Sequence, residues 1–277
     1  LGASSVMWFD FPLWGSAHEE QYAIDRLHER SELVAIAHPG LRHGHTPSSL
    51  SKLSNFELLE VLNHFLPPAD SAWDAALSAG RPVWLLASDD SHDITGSGET
   101  GANFTRVLAT DTSGNAIIRA LREGRAYGVR TRDHRGSLHL QSLVMHHDTL
   151  LVRISGRVRH VRVIGQHGAV RRTWDRGTSQ DTAVTLSATA LHEDGYLRVV
   201  AEGPDEWLYS NPVVRWNGHV LPAGLATVNA PRTVLRQTAW RLAYAWLALW
   251  WIARLPIRPR ARSKRPTRPA FSHSVRR

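Results

Sequence analysis

The chain has 277 residues, enough for one large domain or two ordinary ones, and 42% of them are hydrophobic, so it can build a core and is not a disordered segment. It has no cysteine, which excludes disulfides, thiol nucleophiles and zinc fingers. The net charge of +8 misleads: nine basic residues and no acid lie between Arg254 and Arg277, and subtracting those nine leaves −1 for residues 1–253.

In chain order, residues 17–31 (AHEEQYAIDRLHERS) have the spacing of a helix, with Tyr22, Ile24 and Leu27 on or near one face. Leu33 to Ala37 is a short apolar run of the kind found in a strand buried on both faces, stopped by His38-Pro39-Gly40. After the loop LRHGHTPSS comes a second apolar segment, 56–64, ending at Asn63-His64. Residues 71–80 read as a helix closed by Gly80, with Trp73 a core residue and Asp74 a hydrogen-bond anchor. A third run, Val83 to Ala87, breaks into Ser88-Asp89-Asp90-Ser91-His92-Asp93, and residues 113–124 read as a helix capped by Ser113 and stopped by Gly124.

This rhythm of strand, loop and helix predicts an α/β domain with a mainly parallel sheet over residues 1–135. Reactive groups in such folds collect at the C-terminal ends of the strands. From about residue 136 to 220 the pattern changes to short alternating runs such as Val161-Arg162-Val163, which predicts a small antiparallel β-sandwich module. Residues 221–277 hold a hydrophobic helix and the basic tail. From Leu242 to Ala253 no residue is charged and four of the twelve are Trp or Tyr, beside a basic flank. That composition fits membrane association through residues 237–277, as a short span or an interfacial anchor. If the helix spans, the positive tail lies in the cytoplasm and the folded body outside it. Nucleic acid is the weaker partner for this tail, because it follows a membrane-like helix and has few aromatics.

A strand ending in His-Pro and another ending in Asp-x-His suggest a metal site. Imidazole nitrogen and carboxylate oxygen suit zinc, manganese or iron. His38, Asp90 and His92 are the candidate ligands, and Asp90 and His92, two apart on an extended tip, face one side together. Asp89 and Asp93 are the groups that would orient an imidazole. His64, at the end of a strand, lies near the same mouth. TGSGETG (95–101) follows no strand and reads as a loop near it rather than a phosphate cradle.

The wording LVAIAHPG, ELLEVLN, WDAALSAGRPVWLLASDDSHD and IIRALREGRAYGV resembles the PHP (polymerase and histidinol phosphatase) domain superfamily. The closest branch is that of metallohydrolase-like proteins with a C-terminal β module, and the resemblance covers residues 6 to about 130. It implies part of a distorted (β/α)7 barrel, divalent metal ions, and hydrolysis of a small phosphorylated substrate. His38 matches the family's His-Pro histidine, and Asp90 and His92 match its closing Asp-x-His, so Asp90 and His92 would carry the catalytic centre. Glu60, Val61 and Asn63 match its E-V-x-N stretch, near the site rather than on the metal. The family's earlier ligands match nothing before residue 38, which leads to the expectation that they precede Leu1, WFDFPLWGS being mid-barrel text. The alternative is a non-catalytic binding or surface protein, with a degenerate barrel and a ligand-binding β module.

Overall fold

A computed structural model describes residues 1–6, 16–95, 98–175, 183–215, 226 and 228–254, with the backbone alone at 43, 183 and 184. WFDFPLWGS before Ser16, Gly96-Ser97 of the glycine-rich loop, the end of the β module after Arg215 and the tail beyond Arg254 lie outside the described residues. The chain divides into two compact units, Leu1–Thr233 and Val234–Arg277.

The first unit begins with α1 (Ala17–His28), β1 (Ala35–Ile36), α2 (Pro47–Leu50), β2 (Leu58–Asn63), α3 (Asp70–Ser78) and β3 (Trp84–Ser88). It continues with β4 (Asn103–Val107), α4 (Gly114–Arg122), β5 (Ala126–Thr131), β6 (His139–His146), β7 (Thr149–Ser155), β8 (His160–Ile164), β9 (Val170–Asp175), β10 (Ala183–Thr189), β11 (Tyr196–Glu202), β12 (Glu206–Ser210) and β13 (Val213–Val214). Strands β1, β2 and β3 form a parallel sheet in that order. Every other strand pair among the described residues is antiparallel: a sheet β4-β5-β12-β11-β8-β9, with β13 on β11, and a sheet β10-β7-β6.

The expected partial (β/α)7 barrel is therefore corrected. Three parallel strands form and the series stops. In a barrel the outer edge of β3 would pair with the next parallel strand. Here Leu85 N donates to the Asn211 side chain at 2.7 Å, and Ala87 N donates to Thr105 Oγ1 at 2.8 Å, so side chains close that edge. The strand that follows, β4, pairs antiparallel with β5 instead. The expected separate β-sandwich is corrected with it, because the larger antiparallel sheet draws β4 and β5 from one side of residue 135 and β8, β9, β11 and β12 from the other.

The large sheet is the middle layer of three. One face buries Tyr196, Val200 and Tyr209 against Leu59, Leu62, Leu85 and Trp73 of the parallel sheet and α3. Its other face buries Val129, Val199, Ala201 and Leu208 against Leu150, Val152 and Ile154 of the β6–β7–β10 sheet. Double-sided cover explains why β11 is buried along almost its whole length. Between α3 and the middle sheet Arg198 is buried, with Nε on Asp74 Oδ1 at 2.8 Å, Nη2 on Asp74 Oδ2 at 2.7 Å and Nη2 on Asp70 at 2.9 Å. Tyr196 donates to the same Asp74 carboxylate at 2.8 Å. Asp74 is thus the anchor of α3, and Trp73 is fully buried.

The second unit holds α5 (Ala230–Arg254), most of whose length lies beyond Thr233. The expected hydrophobic C-terminal helix is corrected too. Arg232, Arg236 and Arg241 interrupt it, and among the described residues no helix is long and apolar enough to cross a membrane.

Candidate functional site

β2 and β3 end side by side, with Asn63 in register with Ser88. The pairing shifts between Glu60 and Leu62, so Val61 is an extra residue, and such a bulge re-aims its neighbours. Glu60 is buried at 5% exposure in the middle of this apolar strand. A buried carboxylate needs donors. Glu60 has three: the backbone N–H of His38 and the hydroxyl of Ser88 donate to it, and Asn63 Nδ2 donates at 3.1 Å. The same Nδ2 donates to Asp90 Oδ2 at 3.2 Å, so the Asn63 amide joins the two carboxylates. The expected neighbours Glu60 and Asn63 therefore form one network with Asp90 and the backbone of His38.

Both His38 and Asp90 have left-handed backbone, with φ of 31° and 51°. Such residues are uncommon outside glycine and gather at functional sites. Asp89 turns the other way: its oxygens accept Gly101 N and Asn103 N, both at 2.6 Å, fixing the loop to the start of β4. His92 is exposed, its N–H donates to Glu99 at 2.8 Å, and its ring meets Phe65 edge-on at 5.9 Å. Asp93 caps its own turn, accepting from Thr95 N at 2.8 Å and Thr95 Oγ1 at 2.7 Å, and these bonds hold its carboxyl below the usual range. His64 stands edge-on to Phe65 at 4.8 Å, on the pocket side.

The donors do not fit a divalent metal. Among the described residues no three His, Asp or Glu side chains form a group that could hold one, so His38, Asp90 and His92 are not gathered as ligands. The carboxylates of Glu60 and Asp89 already accept on both oxygens.

Beside this network opens a pocket of about 520 Å³. It exists because the middle sheet outruns the parallel one. Gly128 packs directly under Leu85 and Ala87, whereas Arg130, two residues on along the same face, lies past the strand ends. Arg130 is in register with Asn103 on β4 and with Trp207 on β12, which sets the three in a row across the floor. Arg132, His64 and His134 complete the basic lining, and among the described residues no carboxylate lines it. Sequence reasoning missed these residues. The alternation Arg130-Thr131-Arg132 after an apolar strand was the available local signal, but the cross-strand register that joins Arg130 to Asn103 and Trp207 is not written in either segment.

No protein-family model and no curated protein matches the chain. Among solved structures it is similar to a two-domain protein from Bacteroides vulgatus ATCC 8482 containing a predicted PHP-like metal-dependent phosphoesterase. The identity is 13% and the TM-score 0.35, over 70% of this chain and 64% of that one. A likeness of that size carries no argument for fold or activity, and the chain spans less than two thirds of that protein.

Proposed function

We propose that the chain is a hydrolase of small phosphorylated molecules, with Asp90 and His92 handling the proton of the attacking water. The sequence resemblance over residues 6 to 130 is what suggests the reaction. The single observation that supports it at the site is the basic pocket, lined among the described residues by no carboxylate and by His64, the chain neighbour of the Asn63 that donates to Asp90. A phosphoester brings two negative charges, which guanidinium groups receive well. The described donors do not form a group that fits zinc, manganese or iron, so the roles proposed for Asp90 and His92 do not run through a metal ion.

Turnover of a generic phosphomonoester by the full chain, with metal content measured in parallel, tests the proposal. The expected result is activity in the wild type and loss on replacing Asp90 and His92 together by alanine. Equal turnover in both proteins removes the assignment. A second reading, a non-catalytic binding protein, is favoured by one observation: Glu60 and Asp89 are spent on internal hydrogen bonds. Ligand binding without turnover under any added divalent ion selects it.

A further inference from the structure

We infer that Arg106 and His139 form a latch that closes only while His139 is neutral, and that acid opens it, freeing the strap at residues 132–136 whose Arg132 and His134 wall the basic pocket. The latch does not depend on the reaction proposed above.

The strap joins β5 to β6, and two side chains grip its far end from opposite sides. Glu206 of β12 is buried and accepts Ser137 N at 2.6 Å, Leu138 N at 3.0 Å and the Ser137 hydroxyl. Arg106 of β4 takes the other side. Its Nη2 donates to Gly136 O at 2.8 Å, and its Nη1 lies 2.6 Å from His139 Nδ1 and 3.3 Å from His139 Nε2. The Phe104 ring supports the guanidinium at 5.3 Å. Gly136 has φ of 64° and packs so closely that a Cβ there would lie 2.8 Å from Phe104 Cζ and 3.0 Å from Val129 Cγ1. One guanidinium thus holds the strap at Gly136 and the start of β6 at His139.

The bond to His139 carries a condition. A guanidinium has donors and no acceptor, so His139 Nδ1 must be bare and accept. A protonated imidazole carries hydrogen on both nitrogens, so it cannot accept, and it sets a second cation against Arg106. Glu206 is the carboxylate whose charge reaches this ring, and its oxygens are turned to Ser137 and Leu138. The other strands packed on β6 bring no charge to it: Ser155 of β7 is in register with His139, and β13 holds only Val213 and Val214. Burial first, and then the Arg106 charge, hold the imidazole below its ordinary 6.5, with Glu206 opposing. A base whose folded pKa is lowered gives stability that is full above the unfolded value and is lost as pH falls from there. Asp133, within the strap, titrates lower still, because the Thr131 hydroxyl and Arg135 N hold its carboxyl below the usual range.

Hydrogen exchange of the full chain tests the latch, read by mass spectrometry over residues 132–139 and corrected for the intrinsic chemical rate at each pH. Protection there should fall about tenfold from about pH 7.5 to about pH 5, while Ala126–Thr131 of β5 keeps its own. His139→Gln retains an acceptor at every pH and should keep the strap closed at both. Arg106→Gln should leave it open at both, with native circular dichroism. Wild-type protection that does not change with pH overturns the inference, and so does an acid response that survives in His139→Gln. Protection in folded Arg106→Gln equal to that of the wild type at neutral pH overturns it as well. The wild type and His139→Gln decide the matter even if Arg106→Gln does not fold.

Discussion

Asp194 has no exposed side-chain surface, yet it sits in a turn between β10 and β11. Burial alone would raise its carboxyl. The Arg171 guanidinium, with Nε at 2.8 Å, and the backbone N–H groups of Gln166 and Leu191, each at 2.9 Å, outweigh burial and hold it below the ordinary value of 3.8. A depressed folded pKa gives stability that is present above the unfolded value and lost as pH falls through the folded one. Asp194→Asn should therefore cost about 2 kcal/mol at neutral pH, and the difference should vanish in strong acid. Urea melts of both proteins at the two pH values check this. An equal cost at both would mean that shape, not charge, is what Asp194 supplies. This site is not legible in the sequence, because Arg171 and Gln166 stand 23 and 28 residues away. Asp74 followed the same rule. Its place on a helix and its anchoring role were legible, but its partner Arg198, 124 residues on, was not.

The contact of two sheets turns on one missing side chain. A Cβ on Gly128 of β5 would lie 2.5 Å from Leu85 Cδ2, 3.2 Å from Ala87 Cβ and 3.3 Å from Leu62 Cδ1. Leu85 is fully buried and cannot swing away freely. Gly128→Ala should destabilise by about 1–3 kcal/mol, the usual cost of overpacking. Adding Leu85→Val should recover part of that, so the double variant should cost less than the sum of the singles. Additive losses in thermal melts would show that the close approach is not where the strain lies. Element signals of short range were readable. Ser113 Oγ accepts from Ala116 N at 3.3 Å at the start of α4, and Gly124 takes φ of 71° at its end, as their types require. Pairing was not readable. Nothing in the short segment of β5, AYGVRT, marks whether it pairs parallel or antiparallel. The expectation of a barrel came from the family resemblance, and the observed strand order does not follow it.

At the scale of the molecule, the mouth of β2 and β3 was legible because apolar runs ending in polar residues point to strand ends. The basic floor was not, since it is assembled from β4, β5 and β12 across a hundred residues of sequence. The C-terminal unit poses the last question. The uncharged stretch Leu242–Ala253 spans roughly 18 Å at 1.5 Å per residue, against roughly 30 Å of bilayer hydrocarbon. Such a helix falls short of a span, but tryptophans and flanking arginines suit the headgroup region. We propose that it lies on an anionic membrane surface, with each basic residue contributing about 1 kcal/mol near the lipid. Full-length protein should then float with phosphatidylserine-containing vesicles at low salt. It should stay behind with neutral vesicles, and be released as salt shortens the screening length. Deleting residues 234–277 should abolish flotation. Flotation of the deleted chain would move the contact to the first unit. Binding to neutral vesicles as tight as to anionic ones would mean that apolar burial, not the arginines, drives it.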